Sequence, residues 1–419
     1  MKKWMMMVLT ALLIMTTCTA ALADNQYWNG SKKHKGHGKG GQTVTVGAEV
    51  LLKKEKKLLK GKRVGLITNP TGVDSSLNSV VDLLNNDPDI ELKALYGPEH
   101  GVRGDAQAGA YVEYYIDEVT GLPVYSLYGK TRKPTPEMLD GIDALVFDIQ
   151  DVGTRFYTYI YTMALSMEAA KEKAIPFIVL DRPNPLGGEK VEGPVLDPEF
   201  ASFVGQYPIP LRHGMTVGEL AQLFNKEFGI SADLKVVKMK GWDREDDFSK
   251  TGLPFVLPSP NMPTLDTAFA YPGAALIEGT NVSEGRGTTK PFELIGAPFV
   301  SSPQLVHQLN QLNLPGVQFR AASFTPTFSK HSGKLSHGIQ VHITDYDKYD
   351  PVVTGLHIVK TLKDLYPEQV QLTPFFDKLI GNGWVREGIE QGMTVEEMQK
   401  RWEKELKQFK KVRKQYLLY

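Results

Sequence analysis

The chain has 419 residues, 42% hydrophobic and 23% charged, with 48 basic side chains balanced by 48 acidic ones. That is a globular composition. The length points to two domains, because single cores stop growing near about 250–300 residues. A lone cysteine excludes a disulfide framework, and nothing in the composition points to nucleic acid.

Residues 1–23 read as a signal peptide: Lys2 and Lys3 at the front, an apolar run from Trp4 to Met15, and an Ala21-Leu22-Ala23 cleavage site. The run is too short to span a bilayer. Cleavage after Ala23 exports a chain that starts at Asp24 and leaves Cys18 behind, so the expected location is extracellular or cell-wall associated. Residues 24–45 form a tail rich in Gly, Lys and His. From 24 to 63 there are eleven Lys/Arg against three Asp/Glu. Such a tail cannot pack a core; it is a solvated segment, or a loose electrostatic contact with an anionic cell wall.

The fold is expected to begin at residue 46. A short helix over 51–60 precedes a strand at 62–70 and a helix at 79–84. The alternating Ile90 to Leu95 predicts a strand running into Tyr96-Gly97-Pro98-Glu99-His100-Gly101-Val102-Arg103-Gly104-Asp105. A short strand at 122–128 and a helix opening at Pro136–Leu139 follow. The nearly continuous apolar runs 144–149 and 176–181, flanking a helix over 157–173, are strands of a sheet covered on both faces. This alternation means βαβ units and a parallel sheet over 46–205. Residues 206–419 read as an α+β domain, with capping boxes at Thr216/Glu219 and Thr394/Glu397 opening helices, strands at 234–239, 317–322 and 338–343, and a helix at 352–365.

Four predicted strands end in polar residues and turn formers: Thr68-Asn69-Pro70, Glu99-His100-Gly101, Asp148-Ile149-Gln150-Asp151, and Asp181-Arg182-Pro183-Asn184-Pro185. In a parallel sheet these ends share one edge, where ligands bind. Glu99 has no helix to cap, which moves it toward function; the working expectation is glycoside hydrolysis, which needs a proton donor and usually a second carboxylate, with Glu99 as the acid and Asp148, Asp151, Asp181, Glu278 and Glu284 as the other candidates. Asp148 and Asp181 serve either as helix caps or as site groups. Glu278 and Glu284 lie in a polar loop, 278–290. Arg103, Arg155, Arg182 and Arg286 each stand beside a carboxylate, where they either hold loops or fork onto an anionic substrate. Tyr157, Tyr159 and Tyr161 belong to core or helix surface, with one available to stack on a sugar. No G-x-G-x-x-G follows a strand and no G-x-S-x-G occurs, which argues against a nicotinamide cofactor and a serine hydrolase. His331, His337 and His342 make no recognised metal pattern. No metal and no cofactor are expected.

Five motifs in order, Gly97-Pro98-Glu99-His100-Gly101, Asp148 to Arg155, Asp181 to Pro185, Pro258 to Pro263 and Glu278 to Asn281, resemble those of the bacterial exo-β-N-acetylmuramidases, the YbbC-like NamZ proteins of glycoside hydrolase family 171. The resemblance runs from about Val46 to Tyr419. It implies a Rossmann-like parallel-sheet domain packed on a smaller α+β domain, with the site in the cleft between them. It also implies a peptidoglycan-derived saccharide substrate, from which terminal non-reducing N-acetylmuramic acid is removed, and Glu99 as the catalytic residue. On this reading His100 and Asp151 tune or orient Glu99, and Glu284 or Glu278 is its partner carboxylate. Arg103, Asp148, Arg155, Asp181, Arg182, Asn184, Asn261, Asn281 and Arg286 bind substrate. A non-catalytic wall lectin and a wall esterase or amidase are the rivals.

Overall fold

A computed structural model describes residues 43–104 and 113–419. The signal peptide with Cys18, the tail up to residue 42, and Asp105 lie outside the described residues. Seven strands form the central sheet: β1 (Arg63–Thr68), β2 (Glu91–Gly97), β3 (Tyr115–Ile116), β4 (Pro123–Ser126), β5 (Ala144–Asp148), β6 (Phe177–Leu180) and a later strand, Leu234–Val237. Their order is β3-β4-β2-β1-β5-β6 and then the later strand, and only the β3/β4 pair is antiparallel.

The continuous apolar runs predicted a doubly covered sheet, and β5 and β6 are buried along their whole length. Alternate side chains feed opposite layers. Phe147, Phe177 and Val179 pack on one face with helices Tyr159–Lys173 and Val217–Glu227. Val146, Ile178 and Leu180 pack on the other with Val50, Val80 and Leu84. Both predicted capping boxes are present, each Thr hydroxyl accepting from the amide of the Glu three residues on.

A two-stranded ribbon, β7 (Glu192–Val195) with β8 (Pro210–Arg212), is followed by helix Val217–Glu227 and then the strand Leu234–Val237, here β9. The parallel sheet therefore extends past residue 205, to where the sequence had indicated the second domain. The remaining half carries an antiparallel sheet, β10 (Leu294–Ala297), β11 (Val317–Phe324) and β12 (Ser336–Ile343), with β12 central. Its apolar residues Ile295, Phe319 and Ile339 belong to the same core cluster as Phe147 and Phe177. Residues 42–419 form one compact unit. No helix among the described residues is long and apolar enough to cross a membrane.

Two local differences have simple causes. Pro136–Leu139 makes only turns, closed by amides that reach back to Thr135 and Pro136. Conversely, Leu265–Ala274 is a helix although Pro272 lies inside it. Thr264 caps its start, and near its end Gly273 meets Gly355 of helix Pro351–Leu365 so closely that a Cβ on either would strike backbone. Two glycines let these helices touch along their main chains, and that packing outweighs the proline.

Candidate active site

The site starts where β2 ends. The Gly101 amide donates to the Pro98 carbonyl at 2.9 Å, closing a turn with Glu99 and His100 at its centre. His100 has φ +74° while Glu99 stays on the negative side, the pattern of a type II turn. Glycine normally fills that third position, and a side chain there costs about 1–3 kcal/mol. The loop is pinned on three sides: Val102 is buried in the core beneath the sheet, the Leu127 amide donates to Gly97 O at 2.8 Å, and Arg103 grips Asp117 with three contacts of 2.8–3.0 Å. Arg103 is therefore a loop clasp, contrary to its expected substrate role.

Two hydroxyls flank the Glu99 carboxylate. Thr158, just before helix Tyr159–Lys173, donates to Oε2 at 3.2 Å. The Tyr128 hydroxyl, just beyond β4, lies beside this carboxylate; burial, and then the Glu99 charge, push the Tyr128 phenol up to about 12, so it stays protonated as a donor. Glu99 and His100 line a pocket with Phe156, Tyr157, Thr158, Tyr159, Tyr271, Phe292, Asn261 and Arg286.

The far wall comes from beyond the sheet. A turn closed by Met262 N to Ser259 O, 2.9 Å, with Pro260 at its second position, presents Asn261. Tyr159 secures that turn by donating to Pro258 O at 2.5 Å. Arg286 reaches the pocket over the ring of Phe292, 5.1 Å from its centre. Its guanidinium is held by Glu278 at 3.3 Å and Glu284 at 3.5 Å. Lys330 binds behind this loop, with Glu284 at 3.1 Å and the carbonyls of Ile277, Glu278 and Val282 at 2.9–3.1 Å.

Of the expected catalytic group, then, Glu99 and His100 line the pocket and three carboxylates stand behind its wall. Glu284 is almost fully buried between Arg286 and Lys330, a counter-ion that does not line the pocket. Glu278 lies behind Arg286; burial raises its pKa, the Arg286 charge opposes the rise, and Glu284 adds to it. The Tyr271 phenol feels the charges of Glu278, Glu99 and Asp151 together. Asp151 itself is buried behind the tyrosines and does not line the pocket. Burial pushes its carboxyl up to about 7, partly offset by amides of Gly153 and Val152. Its neighbour is His213, whose Nε2 is 3.8 Å from Oδ2. Burial lowers His213 to about 3, so it is neutral; Nδ1 accepts from Met215 N, which places the ring proton on Nε2, toward Asp151.

The other expected substrate groups hold the protein together instead. Arg182 and Asp148 pair at 2.6 and 2.8 Å inside the protein, and Arg182 also donates to Val73 O. Asp181 accepts from Gly218 N, Thr216 Oγ1 and the hydroxyl of Tyr419, so it caps helix Val217–Glu227 and ties down the C-terminus. Asn184 bridges Leu186 N and Met215 O. Arg155, with no exposed surface, donates to the carbonyls of Pro194, Ile209 and Leu379. Asn281 bonds the backbone of Gln369 and Gln371. None of the six lines the pocket. Tyr161 is core, its hydroxyl on Arg155 O. The residues the sequence did not single out are Tyr128, Thr158, Tyr271, Phe292 and Lys330. Thr158 sits within a stretch noted for its tyrosines; nothing local marks Tyr128 or Lys330, whose partners are distant in sequence. Among the described residues no group of three His, Cys, Asp or Glu is placed to hold a metal ion.

At the carboxyl edge of the parallel sheet, then, a glutamate held by a hydroxyl shares a narrow aromatic pocket with an arginine, and the class of the protein, a glycoside hydrolase, follows from its relatives. Residues 64–266 match the N-terminal part, and residues 269–419 the C-terminal part, of the exo-beta-N-acetylmuramidase NamZ family, and the chain belongs to that family. It is 63% identical over 421 residues to the peptidoglycan beta-N-acetylmuramidase NamZ of Bacillus subtilis strain 168, covering all of both chains. Two crystal structures of DUF1343 family proteins from Bacteroides fragilis share the fold. One has a TM-score of 0.83 at 44% identity, the other 0.71 at 33%, and each match covers 90% of this chain and 99% of the other.

Proposed function

We propose that this protein is a secreted exo-β-N-acetylmuramidase that removes terminal non-reducing N-acetylmuramic acid from peptide-free peptidoglycan fragments such as the muramyl-glucosaminyl disaccharide, in cell-wall turnover and recycling. The observation that supports the reading is that Glu99 and Arg286 line one pocket. Glu99 is the general acid that protonates the leaving oxygen, since general acid catalysis needs a carboxyl fixed within reach of that atom. Arg286 meets the lactyl carboxylate that distinguishes muramic acid from other amino sugars, a group its planar fork suits. Neither second-carboxylate candidate lines the pocket: Glu278 is paired with Arg286, and Glu284 with Arg286 and Lys330. Export rests on the pattern of residues 1–23, and the basic tail would hold the enzyme near the anionic wall.

The test is Glu99→Gln assayed on the disaccharide. Turnover is expected to fall by at least about a hundredfold, the low end for general acid catalysis, with unchanged thermal unfolding. Hydrolysis at a near-normal rate would remove the assignment. Binding of the saccharide by wild type without release of the sugar would make the protein a lectin, and release of acid or amine without free sugar would make it an esterase or amidase. N-terminal sequencing of protein recovered from the medium checks export, with Asp24 expected first.

A further inference from the structure

Two buried hydrogen-bond donors in the pocket lack an acceptor. Asn261 is 6% exposed and its Nδ2 has no partner among the described residues. Tyr157 is 8% exposed, and its hydroxyl, near those of Ser259 and Tyr159, makes no hydrogen bond of normal geometry with either. Both line the pocket that holds Glu99. Such orphans are uncommon in folded proteins, because an unpaired buried donor has lost water and gained nothing. Both are also rigidly placed. The Ser259–Met262 turn fixes Asn261. The ring of Tyr157 is wedged edge-on between Tyr159, 4.9 Å between centres, and Tyr271, 5.7 Å.

What completes them is an acceptor that brings no proton of its own. A 2-acetamido sugar with a lactyl ether offers two such groups, a carboxylate and an amide carbonyl. The carboxylate pairs best with a guanidinium, and Arg286 is the cation in this pocket. Neutral donors suit the amide carbonyl, whose oxygen accepts two hydrogen bonds. Burial keeps the Tyr157 phenol protonated, so it remains a donor throughout any working pH range. Phe156, Met262 and Phe292 supply apolar wall for the acetyl methyl. We infer that Asn261 and Tyr157 form the subsite that recognises the carbonyl of the sugar's 2-acetamido group, dividing the pocket between an amide end and, at Arg286, a carboxylate end. This rests on the muramidase reading above.

The experiment compares kcat/KM for two aryl muramic acid glycosides, one carrying the acetamido group and one with a hydroxyl in its place, in wild type, Asn261→Ala, Asn261→Asp and Tyr157→Phe. The ratio of the two substrates cancels their intrinsic reactivity and any general loss of folded enzyme. Wild type is expected to prefer the acetamido substrate. Each variant should reduce that preference by about tenfold to a hundredfold, since a site built to pair a polar group discriminates strongly against its absence. Asn261→Asp, which sets an acceptor against the carbonyl, should reduce it most. A preference unchanged in all three variants overturns the inference, whether or not overall rates fall. A second pair, the aryl N-acetylglucosaminide and the aryl glucoside, lacks the lactyl group; a preference that changes in the muramic acid pair but not in this one overturns the inference in favour of a lactyl subsite. If wild type cleaves neither muramic acid glycoside, the muramidase reading itself fails, which is a different result.

Discussion

The carboxyl edge of the sheet contains two kinds of polar strand ending. After β5 and β6 the endings close on themselves: Arg182 is spent on Asp148 and Val73, Asp181 on Thr216, Gly218 and Tyr419, and Asn184 on Leu186 and Met215. After β2 the ending opens. Glu99 and His100 are carried on a type II turn into a pocket whose other wall is supplied by Asn261 and Arg286. Both kinds look alike in sequence, a short run of charge and amide set among glycines and prolines. They differ in whether the protein itself uses up the hydrogen-bonding capacity. Where it does, the motif is structural; where donors and carboxylates face a cavity, the motif is available for chemistry.

Three substitutions sharpen that contrast. The largest effect is expected at the closed ending. Arg182→Met leaves Asp148 buried with its charge unpaired, which should cost about 3–5 kcal/mol of stability, read as a shift in the urea midpoint. Adding Asp148→Met should recover much of that loss. A small effect of the single variant would mean that Arg182 is not the keystone described. Asp151, between the two regions, gives the next effect. Its folded value is near 7, above the ordinary 3.8. A carboxyl raised by folding contributes stability below its unfolded value and loses it as pH rises through the folded one. Relative to Asp151→Asn, wild type should therefore lose stability between about pH 4 and pH 7, on the order of 4 kcal/mol at most, and the difference should then level off. A difference independent of pH would contradict this. The smallest effect belongs to the open ending. Tyr128→Phe removes one of the two hydroxyls beside Glu99 and should lower kcat by about tenfold, the value of one hydrogen bond to a charged group, with KM unchanged. Equal changes in kcat and KM would place Tyr128 in substrate binding.

Much of this architecture was legible in the sequence because it rests on local pattern. Apolar runs at 144–149 and 176–181 marked buried parallel strands, Thr216/Glu219 and Thr394/Glu397 marked helix starts, and Glu99 stood out because no helix followed it to be capped. What was not legible depends on distance in the chain. Arg155 looks like any pocket arginine until its three carbonyl partners arrive from residues 194, 209 and 379. The β9 strand joins the first sheet from beyond the expected domain boundary, because pairing with β6 is decided in three dimensions. Helix Leu265–Ala274 was hidden by Pro272, whose cost is offset by the contact of Gly273 with Gly355. Arg286 lines the pocket with Glu99, but Lys330, which fixes the loop that presents it, has no local signature.

If Glu99 delivers a proton to the leaving oxygen, its importance must depend on how much the leaving group needs that proton. Glu99→Gln and wild type should be compared on the natural disaccharide and on a 2,4-dinitrophenyl glycoside of N-acetylmuramic acid, whose leaving group departs without protonation. A loss of at least about a hundredfold is expected on the disaccharide and a far smaller loss on the dinitrophenyl glycoside. Equal losses on both substrates would show that Glu99 does not act as the acid.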